Sequence, residues 1–94
     1  MTKKDIDIDE ISELIALSSD KEQIKGYLKS LLTPSEVKGI ALRWEIFKGL
    51  YEGKTQRTVA KELKASLCNV TRGARELKQT DSAVRKFLKE YFKK

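Results

Sequence analysis

The sequence predicts an all-α protein, and three observations predict it. Apolar residues recur three and four apart in most segments, the sole Pro stands where a helix would begin, and only five Gly interrupt 94 residues. At 39% hydrophobic and 36% charged residues, the composition suits a soluble helical chain better than a sandwich or a disordered tail. Residues 1–94 make one domain, near the size at which a single core is marginal alone. Apolar helix surface beyond that core calls for a partner chain, and a second copy is the natural one.

The first helix is expected over Asp9–Leu17, with Ile11, Leu14 and Ile15 on one face; "SSD" breaks it before a second short helix carrying Ile24, Tyr27, Leu28 and Leu31. "LTPSE" is the strongest local signal. Thr33 can act as N-cap, Pro34 occupies the first helical position where its missing N–H costs nothing, and Glu36 closes a capping box. The third helix runs to about Glu52 and stops at Gly53, the residue that most easily adopts a left-handed helix end. Val37, Ile40, Trp44, Phe47 and Tyr51 form one stripe and Ile46 and Leu50 another, so apolar surface wraps much of this helix. Trp44, on the Val37 and Phe47 stripe, is expected to be buried as core.

Thr55 can cap a fourth helix containing Val59, Ala60 and Leu63, and Ser66 a fifth containing Val70 and Leu77, which leaves "KAS" as the turn between them. This is helix-turn-helix spacing over residues 55–78, with small Ala60 where two short helices cross. A left-handed turn residue is needed near Lys64, where such turns commonly have Gly; a residue with a side chain pays on the order of 1 kcal/mol there. The last helix, "DSAVRKFLKEYFKK", starts at Asp81 or Ser82 and places Val84, Phe87, Leu88, Tyr91 and Phe92 on one face with lysines opposite, reading as a docking helix.

Charge points to a partner. Residues 1–20 carry a net −4, residues 21–53 +2 and residues 54–94 +8, which together give the formal +6. A basic half that contains the helix-turn-helix spacing is the distribution expected of a polyanion binder. The fifth helix turns Leu67, Cys68, Asn69, Thr71, Arg72 and Arg75 outward, where Asn, Thr and Arg can read base edges in a major groove. Gln56, Arg57 and Lys78 can reach phosphate.

Several classes are disfavoured. With no His, one Cys, no Gly-rich phosphate loop and no paired carboxylates, an enzyme is not expected. Cys68 can form no internal disulfide and has no thiol or imidazole to share a metal with, so no metal cofactor and a cytoplasmic setting follow. The start "MTKKDIDIDE" lacks an apolar export core and no apolar run is membrane-length, so no membrane partner is expected.

"LLTPSE", "IALRWEIFKGLYEGK" and "QRTVAKELKASLCNVTRGARELK" together resemble the tryptophan-responsive Trp repressors, in the same order and from about Leu31 to Lys78. The resemblance implies an intertwined homodimer with helix-turn-helix reading heads, double-stranded operator DNA as partner and L-tryptophan as corepressor. It implies that Arg43 and Arg72 hold the indole between their guanidinium planes, that Thr33 and the carbonyls of Leu31 and Leu32 lie around the ligand amino group, and that Gly73 leaves room beside it. Two departures stand out. Glu76 occupies a position where the family has a serine near the ligand amino group, so it either pairs with the ammonium or changes ligand preference; and the chain is one residue shorter between Gly53 and Gln56. The alternative reading is a ligand-independent helix-turn-helix or architectural protein, for which the basic field alone would suffice.

Overall fold

The computed structural model describes residues 6–93. Six helices follow one another: α1 (Asp9–Ala16), α2 (Lys21–Leu31), α3 (Pro34–Tyr51), α4 (Gln56–Leu63), α5 (Leu67–Leu77) and α6 (Ala83–Lys93), with no strand among the described residues. The all-α expectation holds, and the expected ends of α1 and α3 each shift by one residue. Among the described residues, no helix is long and apolar enough to cross a membrane.

The caps explain why helices start where they do. Asp20 accepts the Glu22 N–H at 2.9 Å to open α2. At α3 the capping box closes in both directions: Thr33 Oγ1 accepts the Glu36 N–H at 3.1 Å, and Glu36 Oε1 accepts the Thr33 N–H at 2.9 Å. Thr55 caps α4 through the Thr58 N–H, and Ser66 caps α5 through the Asn69 N–H, each at 3.1 Å. Ser82, not Asp81, opens α6 by accepting the Arg85 N–H at 3.2 Å. Gly53 ends α3 with φ +95°, a backbone that a side chain would strain.

Lys64 ends α4 in the left-handed conformation, φ 54° and ψ 39°, so the turn into α5 keeps the expected shape with a residue that resists it. Lys64→Gly is therefore expected to stabilise the fold by about 0.5–1 kcal/mol, the steric relief outweighing the extra freedom of Gly in the unfolded chain. Urea unfolding at fixed chain concentration measures this. A loss of stability would mean that the lysine side chain contributes more than its backbone costs.

The chain divides into two compact units, one ending at Val37 and the other beginning at Lys38. In the first, α1 and α2 contain no buried residue: Leu14, Leu17 and Leu31 are all more than half exposed, and Ile11, Ile15 and Ile24 are only partly covered. Their amphipathic faces have the pattern of core helices without a core inside this unit.

The second unit holds the core. Ile46, Val59 and Val70 from α3, α4 and α5 are buried together, with Leu42, Leu50, Ala60, Leu63 and Ala65 packed around them. Two glycines let these helices approach. A Cβ at Gly49 would stand 3.0 Å from Val59 Cγ2, and one at Gly73 would stand 3.0 Å from Ile46 Cγ2. α4 packs on α5 and α5 on α6, and Leu88 is the fully buried residue of α6. The joint between α5 and α6 is tied by the Arg85 guanidinium, which donates to the carbonyls of Gln79 and Thr80. Charge pairs trim the surface: Lys48 bonds Glu45 at 2.8 Å and Lys54 bonds Glu62 at 3.0 Å, and each carboxylate raises its ammonium above the ordinary lysine value of 10.5. Because these folded-state values are raised, whatever the pairs contribute is present at neutral pH and is lost only as pH climbs through the raised value.

Two apolar expectations change. Trp44 is half-buried rather than enclosed, lying edge-on to Tyr91 with ring centroids 5.5 Å apart. On α6, Phe87 remains 69% exposed, while Phe92 stacks on Tyr51 at 5.5 Å and both stay partly open. The aromatic stripes of α3 and α6 thus meet along one edge only, because their remaining width exceeds what either helix can cover.

Candidate functional site

The close approach at Gly73 shapes a cavity of about 250 Å³ between α3 and α5. Ile46 and Phe47 from α3 and Gly73 from α5 supply its apolar floor, and Arg43, Asn69, Arg72 and Glu76 supply its polar walls. Helical spacing produces this set directly. Arg43 lies one turn before Ile46 and Phe47, and Asn69, Arg72, Gly73 and Glu76 repeat three or four apart on one face of α5. The volume falls just under the range of about 300–1,000 Å³ usual for small-molecule sites, which suits a ligand of amino-acid size.

The electrostatics are those of an open site. Arg43, Arg72 and Glu76 are exposed, and among the described residues none of these three side chains makes a hydrogen bond or ion pair within the chain. Other charged side chains, such as Lys48 on α3 and Lys54 in the loop between α3 and α4, do find partners. Two guanidinium groups and one carboxylate around an apolar floor can bind a flat aromatic molecule that carries charges of both signs.

Four of the seven residues expected at the ligand, Arg43, Arg72, Gly73 and Glu76, line one cavity. The other three, Leu31, Leu32 and Thr33, belong to the first unit at the α2–α3 junction, where Thr33 Oγ1 is engaged in the capping box. Asn69, expected on the DNA-facing surface, also lines the cavity and is half-buried. Its spacing of three from Arg72 and four from Gly73 was the available signal.

The remaining expected DNA-facing residues are distributed over α4 and α5. Arg57, Leu67, Cys68, Arg75 and Lys78 are exposed, with Leu67 and Cys68 on the first turn of α5. Gln56 and Thr71 are half-buried and bond each other, the Thr71 hydroxyl donating to Gln56 Oε1 at 2.9 Å. That bond ties the start of α4 to α5 and holds the two helices around their three-residue turn, so Gln56 and Thr71 form part of the joint as well as of the surface. Among the described residues, no cluster of His, Cys, Asp or Glu stands close enough to hold a metal ion.

The family profile described as Trp repressor protein matches residues 6–91, nearly the whole chain. The chain belongs to the Trp repressor family. Similar proteins include a Trp operon repressor homolog of Vibrio parahaemolyticus, 34% identical over 84 residues covering 88% of this chain and 82% of that protein. Another, from Vibrio campbellii, is 36% identical and covers 77% and 73% of the two chains. A Trp operon repressor homolog of Chlamydia trachomatis serovar D is 39% identical over 72 residues, covering 74% of this chain and 77% of its own. No solved structure gives a significant match. The Trp repressor family consists of transcriptional regulators rather than enzymes, and the matched span contains both the cavity and the α4–α5 pair.

Proposed function

We propose that this member of the Trp repressor family is a homodimeric, cytoplasmic DNA-binding repressor whose affinity for operator DNA is raised by L-tryptophan. The observation that carries the reading is the placement of the cavity: its two arginines, unpaired among the described residues, sit on different helices, Arg43 on α3 and Arg72 on α5. An indole held between those guanidinium groups links the orientation of α5 to the body of the fold. The carboxylate of the ligand pairs with a guanidinium.

α5 is then the reading helix of a helix-turn-helix, entering a major groove with Leu67, Cys68 and Asn69 foremost, while Arg57, Arg75 and Lys78 hold phosphates. Two such helices of a dimer address successive major grooves about 34 Å apart, a general property of dimeric helix-turn-helix proteins, this family among them. The uncovered apolar faces of α1 and α2, with exposed Phe87 on α6, support the dimer, since a free monomer seldom tolerates apolar surface of that extent.

The deciding experiment selects binding sites from random duplex DNA with the full chain, then measures affinity for the selected site with and without L-tryptophan. A gain of at least tenfold, about 1.4 kcal/mol, is expected with the ligand. Equal affinity in both conditions would replace this reading with that of a ligand-independent DNA binder, and no sequence preference at all would leave only polyanion binding.

A further inference from the structure

We propose that Glu76 makes the cavity selective for ligands that carry an ammonium group, so that it discriminates a zwitterionic indole amino acid from an indole acid of the same size. The inference rests on the reading of this cavity as the tryptophan site. Its basis is the charge inventory of the wall: two guanidinium groups, one carboxylate and one neutral amide surround a floor of Ile46, Phe47 and Gly73. None of the three charged side chains spends its charge on another group of the chain among the described residues. In particular Glu76 pairs with neither Arg43 nor Arg72, although all three line one small cavity.

An α-amino acid with an aromatic side chain satisfies this arrangement completely. Its ring covers the apolar floor between the arginines, its carboxylate meets a guanidinium, and its ammonium meets the Glu76 carboxylate in a charge-assisted hydrogen bond. An indole acid that lacks the ammonium brings its own negative charge toward Glu76 and leaves that carboxylate facing a desolvated ligand without compensation. An indole amine that lacks the carboxylate keeps the bond to Glu76 and forfeits the guanidinium. A neutral hydroxyl or amide in place of Glu76 would accept the ammonium but would not repel the acid, so selectivity between the two resides in the charge.

The test is isothermal titration of the full-length protein with L-tryptophan, tryptamine and indole-3-propionate, repeated on Glu76→Gln. That variant keeps the size of an exposed side chain and removes its charge. In the unaltered protein L-tryptophan is expected to bind at least tenfold more tightly than indole-3-propionate. In Glu76→Gln that ratio should fall by about tenfold, corresponding to about 1.4 kcal/mol, through weaker L-tryptophan and tryptamine and equal or tighter indole-3-propionate. The ratio within one protein is insensitive to a general loss of fold, which circular dichroism checks separately. Indole-3-propionate binding the unaltered protein as tightly as L-tryptophan, or a ratio unchanged by Glu76→Gln, overturns the proposal. Failure of all three compounds to bind the unaltered protein would overturn the tryptophan-site reading itself and this inference with it, a pattern distinct from loss of selectivity alone.

Discussion

Arg72→Leu is expected to abolish the proposed gain in operator affinity with L-tryptophan while leaving the protein folded. Arg72 is exposed and makes no bond within the chain among the described residues, so its loss removes no native contact on which folding depends. What disappears is one of the two guanidinium walls of the cavity on α5, and with it the stacking surface and a donor for the ligand carboxylate. A ligand shifts an equilibrium only by its differential affinity for two states. When it no longer grips α5, it cannot favour one orientation of that helix, and a tenfold or greater gain should drop to none. Electrophoretic or fluorescence titration of the selected DNA site, with and without L-tryptophan, measures this directly. Arg43→Leu should behave likewise from the α3 side. A gain that survives both substitutions would place the ligand elsewhere on the molecule.

The second large effect concerns stability. Ile46→Ala should destabilise the fold by about 2–5 kcal/mol, the range for deleting a buried aliphatic side chain. Ile46 is 1% exposed, packs with Val59 and Val70, and meets the backbone of α5 at Gly73. The absence of a Cβ at Gly73 means that Ile46 Cγ2 fills the space a side chain would otherwise occupy, so its removal opens a void from which two helices have little to refill. For a small protein whose total stability is of the order of 5–15 kcal/mol, such a loss is severe. Thermal and urea unfolding at one chain concentration, with an exposed control such as Ile40→Ala, give the comparison; the proposed dimer makes the fixed concentration necessary. Equal losses at the two positions would mean that Ile46 is not the centre of the core. Because Ile46 also floors the cavity, weakened tryptophan binding should accompany the loss of stability.

Local signals in the chain were informative where local chemistry decides structure. Pro34, the Thr33 and Glu36 pair, Gly53, and the Thr55 and Ser66 caps each place a helix boundary through contacts within a few residues, and the structure has each of them. Lys64 was legible in the same way, since a three-residue turn between two capped helices forces a left-handed residue near it. The Arg43, Arg72, Gly73 and Glu76 set came from resemblance rather than from spacing alone, because residues on two helices 29 positions apart share a cavity only if those helices cross at a given point.

The sequence by itself determined the helical class, the start and end of most helices, the excess of apolar surface and the concentration of positive charge after residue 53. Those properties depend on backbone conformation and side-chain chemistry within one or two turns. Only the tertiary structure decided which apolar stripe becomes core. On α3 the buried apolar side chain is Ile46, whereas Trp44 and Ile40 from the broader stripe remain partly open, because α5 can approach α3 closely only where Gly73 presents no side chain. The same crossing made Asn69 a cavity wall, and the packing of α4 on α5 joined Thr71 to Gln56. Periodicity assigns a face to every residue of a helix, but which of two adjacent faces meets a neighbour depends on where the helices can approach, and that is set by the side chain that one glycine lacks.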